Sequence, residues 1–216
     1  MAFLSLSSQE GLRLETIRGG RRQTELLRFR HEIFREKLKW VELSADGLDK
    51  DEYDAFSHNL AVIDGNEVVG SVRYTEGHYP FMIEKEFARL LPGGFALRKG
   101  RHAGEVTRFA VASRCLNGGM GSASRLLYLS LYEWSRLHDV KWLYFVVEPP
   151  FFRHLTRLGF PTVAIGEAKK LDGGVLSQAG YMDWPSASPD FIHWLREAAV
   201  FPAATQERSR AYDYSH

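Results

Sequence analysis

The sequence predicts an α/β fold, in which helices cover the faces of a β-sheet. Three observations carry that expectation. Residues 60–74, LAVIDGNEVVGSVRY, read as two apolar strands joined at DGN, where Gly65 tolerates positive φ. From residue 104 onwards strand-like and helix-like runs alternate: GEVTRFAV, RLLYLSLYEWSRL, KWLYFVVEP, PFFRHLTRLGF, PTVAIG. No internal repeat or low-complexity linker interrupts the 216 residues, of which 44% are hydrophobic, so one domain spanning 1–216 with a substantial core is expected.

The first element is helical. Thr24 is a candidate N-cap, and the run ELLRFRHEIFREKLKW after it places Leu26, Leu27, Ile33, Phe34 and Leu38 on one stripe. Arg30 falls at the centre of that stripe, and a cation on an apolar face needs a carboxylate or a ligand. The polar segment 41–60 holds the pair Asp51 and Asp54, which can supply one, and should be irregular or form one short helical turn. In the hairpin, alternation puts Val69, Ser71 and Arg73 on one face, so Arg73 is a second charge inside an apolar strand. The Gly-rich stretch from Pro80 to Arg101 contains a short helix at MIEKEFARLL.

The strand GEVTRFAV hides two further charges, Glu105 and Arg108. Strict alternation puts Glu105, Thr107, Phe109 and Val111 on one face and Val106, Arg108 and Ala110 on the other; a β-bulge would bring the two charges together. The loop LNGGMGSAS then leads into a buried helix marked by Leu126, Leu127, Leu131, Trp134 and Leu137. A later helix ends at Gly159, Pro185 and Pro189 open the last one, and the tail from Pro202 is polar enough to fray.

Charge and cysteine usage limit the partners. A net charge of +1 gives no global field towards nucleic acid or a membrane, and the basic patch RKGRH at 98–102 reads first as a solvated loop. The single Cys115 excludes an intramolecular disulfide, offers no metal-ligand spacing and fits a reducing compartment. No metal is expected. With no signal-peptide pattern and no apolar run of membrane-spanning length, a cytoplasmic protein is expected.

The backbone N–H groups of a Gly-rich loop at a helix start suit a pyrophosphate or phosphopantetheine arm, which makes Gly118, Gly119 and Gly121 candidate acyl-donor contacts. The strand, helix and strand after them resemble the C-terminal half of the GCN5-related N-acetyltransferase fold, a mixed, splayed sheet with helices on both faces. That fold's phosphate-loop pattern is Q/R-x-x-G-x-G/A, and the spacing from Arg114 to these glycines departs from it by one residue. Arg30, Phe34, Trp40, Asp51, Asp54, Gly70, Arg73, Met82, Phe87 and E-x-T-R-F-x-V at 105–111 occur together and in order. This set resembles the acyl-homoserine-lactone synthases, the LuxI-type autoinducer synthases, over roughly residues 10–185. Thr107 stands where that family more often has Ser, which keeps the hydroxyl.

The resemblance implies a two-step reaction with no tightly bound cofactor. The amine of S-adenosylmethionine attacks an acyl thioester borne by acyl-carrier protein or coenzyme A, and the methionine carboxylate then displaces methylthioadenosine to close the lactone. Glu105 is the candidate base and the backbone N–H groups of Phe109 and Val111 the candidate oxyanion donors. Trp40, Phe34 and Asp51 suit the sulfonium, and Arg30, Arg73 and Arg108 its carboxylate. The alternative for Arg30, Asp54, Arg73 and Arg108 is a cluster bracing the first helix on the sheet, the reading preferred for its outer members, and for Trp40 a core or lid aromatic. Phe145 and Val147 are core residues by default; the resemblance places their strand along the acyl pocket.

Overall fold

The computed structural model describes residues 4–116, 121–171 and 174–200. An eight-stranded sheet runs in the order β1-β2-β3-β4-β5-β6-β8-β7. The strands are β1 (Ser5–Ser7), β2 (Arg13–Ile17), β3 (His58–Asp64), β4 (Glu67–Glu76), β5 (Ala103–Val111), β6 (Trp142–Val147), β7 (Thr162–Lys170) and β8 (Leu176–Asp183). The helices are α1 (Gly20–Arg30), α2 (Met82–Lys85), α3 (Ser122–Leu137), α4 (Pro149–Leu158) and α5 (Pro189–Arg196). All pairings are antiparallel except β5 with β6, whose crossover is α3. This is the mixed α/β architecture expected. Among the described residues no helix is long and apolar enough to cross a membrane.

Several boundaries depart from the pattern in the sequence. The first helix begins at Gly20, one turn before Thr24, because Glu25 accepts from both Arg21 and Arg22 at 2.7 Å and so supports an extra turn. It continues as a π-helix over His31–Lys37, where the pairs His31–Glu36 and Glu32–Lys37 are spaced i,i+5. Leu26, Leu27, Ile33 and Phe34 are buried, but the wider turn rotates Leu38 out of the stripe to an exposed position. β1, β2 and β8 are not marked by apolar runs, and β7 extends past PTVAIG to Lys170 because β8 pairs along it. The frayed tail expected from Pro202 lies outside the described residues.

The core is built from both faces of the sheet. On one, the Tyr74 hydroxyl lies 2.7 Å from Ser130 Oγ and its ring stacks on Trp134, fixing α3 against β4. Gly70 permits that approach, since a Cβ there would lie 3.1 Å from Leu127. On the other face, Leu26 of α1 packs on Ala61 and Ile63 of β3.

Candidate active site

β5 is where the sheet opens. It pairs with β6 only from Ala103 to Glu105, opposite Trp142 to Tyr144, after which the two strands part. Its other edge stays on β4 as far as Val111, with a register shift between Ser71 and Arg73. Arg108 sits opposite this shift at φ 53°, a left-handed conformation uncommon for a non-glycine residue, and its carbonyl accepts from Ser71 Oγ at 2.7 Å. The bulge abolishes strict alternation. Glu105, Thr107 and Arg108 therefore all line one cavity, of about 570 Å³, rather than opposite faces of the strand.

An ion cluster supports the cavity floor. Asp49 is fully buried and accepts from Arg30 Nε at 2.9 Å, Arg35 Nε at 2.9 Å and Arg108 Nε at 2.7 Å. Asp54 takes a two-pronged contact from Arg30 at 2.7 and 3.1 Å, and Asp51 accepts from Arg73 and from Arg108. Four guanidiniums thus meet three carboxylates, leaving one surplus positive charge among them. Burial by itself would raise the Asp49 pKa, but Arg108 and Arg30 outweigh it and bring the group down to about 2. At Asp54 burial is outweighed in the same way by Arg30 and Arg73, and the pKa is lowered.

Glu105 has a different environment. Its carboxylate is 1% exposed and accepts from the backbone N–H groups of Met82 at 2.7 Å and Ile83 at 2.8 Å, so it holds the start of α2. Burial pushes its pKa up to about 7, against the pull of those two N–H groups, Arg73 and Lys99. It has no ion-pair partner among the described residues within salt-bridge distance, which is the environment a general base working near neutrality requires. Beside it Thr107 Oγ1 accepts from Arg73 Nε at 2.9 Å.

The expected site residues divide into those that reach the cavity and those that do not. Phe34, Trp40, Asp51, Glu105, Arg108 and Val147 line it. Arg30, Arg73 and Asp54 lie beneath it; Arg30 and Arg73 are fully buried and their donors are engaged by Asp49, Asp51, Asp54, Asn59, Thr107 and Met82, the bracing arrangement. Phe34 already carries the Arg108 guanidinium 5.4 Å from its ring centre, and Trp40, 44% exposed, lies 6.1 Å from Phe34. Phe145 is a core residue packed on Phe152, and Phe109 stacks on Tyr128; neither side chain reaches the cavity. The Ala112 N–H donates to Val69 on β4 at 2.8 Å, so the Val111 N–H points the other way, towards the gap left by β6. Gly118 and Gly119 lie outside the described residues; Gly121 sits tight against the Cys115 carbonyl, where a Cβ would come within 2.2 Å.

Sequence reasoning missed Asp49, Arg35 and Tyr53, all at or under the cavity. Buried arginines outnumbering the Asp51–Asp54 pair were the signal that a further carboxylate was needed. The RKGRH loop is largely engaged: Arg98 lies over Trp142, Lys99 pairs with Glu84 and Arg101 with Asp139. Arg114 pairs with Glu67.

The sequence model of the autoinducer synthases matches residues 16–188. The chain is 30% identical over 164 residues to an acyl-homoserine-lactone synthase of Rhizobium radiobacter, covering 73% of this chain and 76% of that one. It is 30% identical over 171 residues to another from Agrobacterium fabrum, covering 76% and 80%. Among solved structures, the acyl-homoserine-lactone synthase LasI superposes with a TM-score of 0.72 at 21% identity, covering 88% of this chain and 96% of that one, a likeness of fold. The match over most of the chain, on the sheet that carries Glu105, the bulge and the arginine cluster, shows that this protein belongs to the autoinducer synthase family.

Proposed function

We propose that the protein is an acyl-homoserine-lactone synthase acting in the cytoplasm, with residues 1–216 forming one synthase domain. The observation that carries this reading is the bulged, splayed β5, which puts a desolvated carboxyl and a guanidinium on the wall of one cavity. S-adenosylmethionine sits with its sulfonium near Trp40 and Asp51, and its carboxylate is drawn to the surplus positive charge at Arg108. The acyl chain lies along the apolar wall formed by Val146, Val147, Leu171 and Val175.

Glu105 takes a proton from the ammonium through a water, and the freed amine forms a C–N bond to the thioester carbon. The oxyanion forms where β5 has parted from β6 beyond Glu105 and its backbone N–H groups are free to donate. Collapse of the tetrahedral intermediate breaks the C–S bond; the expelled thiolate takes the second proton from the amide nitrogen, and Glu105 passes the first to solvent. The methionine carboxylate oxygen then bonds to the γ-carbon as the C–S bond breaks. No base is needed for this second step, because the sulfonium leaves as the neutral thioether methylthioadenosine. Acyl-carrier protein and coenzyme A present the same phosphopantetheine thioester, and either serves as donor in this scheme.

The test is to incubate the purified protein with S-adenosylmethionine and an acyl thioester and to count products. Thiol and methylthioadenosine released in equal amounts are expected. Thiol released without methylthioadenosine would identify an acyltransferase with a different acceptor. Running the same acyl group on carrier protein and on coenzyme A identifies the donor.

A further inference from the structure

Away from the cavity, three side chains converge from three elements: His58 opens β3, Glu76 closes β4 and His138 caps α3. His58 Nε2 lies 2.9 Å and His138 Nδ1 3.4 Å from the same oxygen, Glu76 Oε1. The imidazole centres are 4.8 Å apart and their planes nearly perpendicular, and the three donor atoms all lie within 4.8 Å of one another. The group is held in place by packing, since both rings lie against Trp134, His138 in a stack and His58 edge-on. His138 Nε2 is buried without a partner, so hydrogen bonds alone do not account for how that ring is set. None of these residues has a part in the acyl-transfer chemistry.

We propose that His58, Glu76 and His138 form a binding site for a divalent transition-metal cation of the zinc class. Two imidazoles and one carboxylate are a nitrogen–oxygen donor set that such ions favour over magnesium or calcium. Metal–ligand bonds of about 2.0–2.2 Å in a tetrahedron place ligand atoms roughly 3.4 Å apart. The spacings of 2.9 and 3.4 Å to Glu76 need only a small expansion to meet that. Exposures of 12% for each His and 30% for Glu76 leave an open side for a water, or for His78, whose Nδ1 is 3.6 Å from Glu76 Oε2. Thr75 and Glu76 face Glu105 and Gly104 across the β4–β5 ladder, so the ion would brace the strand end beside Glu105. Ligands at 58, 76 and 138 are too far apart in sequence to form a recognisable motif, which is why none was expected.

The test uses tag-free full-length protein stripped with a chelator, titrated with Zn²⁺ by calorimetry and with Co²⁺ by visible absorption. One equivalent bound, with the d–d bands of a four-coordinate Co²⁺ site, is expected. Affinity should fall at least about ten-fold in His58→Asn, His138→Asn and Glu76→Gln, the last keeping the side-chain shape. Wild-type protein that binds neither ion would overturn the site and leave a hydrogen-bonded triad. So would binding unchanged in two folded variants, with folding checked by circular dichroism. Both readouts are independent of acyl transfer, so failure of the synthase reading leaves this test intact.

Discussion

Glu105 combines two properties that are at odds: it must ionise to act as a base, yet it is held where ionisation is costly. Its pKa of about 7 in the fold, against the usual 4.5, means the native state holds the proton more tightly than the unfolded chain. The sign of the linkage follows. The stabilisation from a protonated Glu105 is fully present below about pH 4.5 and is lost as pH rises through about 7, on the order of 3 kcal/mol in all. Glu105→Gln keeps the shape without the ionisation, so melting curves from pH 5 to 9 should show wild-type protein losing ground to the variant until the pH passes about 7 and levelling off above it. Over the same range wild-type kcat/KM should rise through about pH 7, and the variant should be slower by about 10²- to 10⁴-fold with no such rise. A variant that retains wild-type turnover would remove Glu105 from the chemistry. A charge in an apolar strand made Glu105 legible in the sequence. Its partners were not, because the backbone N–H groups of Met82 and Ile83 carry no residue-type signature.

Two irregular elements shape the site, and neither has a sequence signature. The bulge places an arginine at positive φ where glycine or asparagine would have announced it, and the π-helix over His31–Lys37 follows an ordinary apolar stripe. Both are held by Asp49, which ties Arg30 and Arg35 of the first helix to Arg108 of β5. Asp49→Asn should therefore loosen the helix and the bulge together. With three guanidiniums losing a shared carboxylate, a loss of about 3–5 kcal/mol is expected in urea unfolding at pH 7. The linkage runs opposite to that of Glu105. A carboxyl lowered to about 2 stabilises above its unfolded pKa of 3.8 and loses that contribution as pH falls towards 2, so the deficit of Asp49→Asn should shrink in acid. A deficit below 1 kcal/mol at pH 7 would mean that the cluster is dispensable.

On the scale of the whole molecule, the strands that bury both faces were legible as apolar runs, and those paired on polar ground were not. β2 displays an Arg13–Glu15 ion pair to solvent, and β8 carries Ser177, Gln178 and Gly180 between two neighbours that supply the apolar contacts. Gly180 is required there, since a Cβ would lie 2.6 Å from the Phe152 ring. That close packing also decides what Phe145 does. Its ring fills the space between Phe152 and Gly180, on the core side of β6, while Val147, two residues on and past the point where β5 leaves, borders the cavity. Both residues read alike in the sequence, core by default and on the acyl-pocket strand by resemblance, and the splay separates them. Val147→Phe should narrow the acyl wall and lower kcat/KM for longer-chain donors relative to shorter ones by about ten-fold or more, with little change in melting temperature. Phe145→Ala should do the reverse, costing about 3–5 kcal/mol of stability while the order of preference among donors is kept. If Phe145→Ala reorders donor preference and Val147→Phe leaves it unchanged, the acyl chain runs into the core behind β6 instead of along the cavity, and the proposed binding mode is wrong.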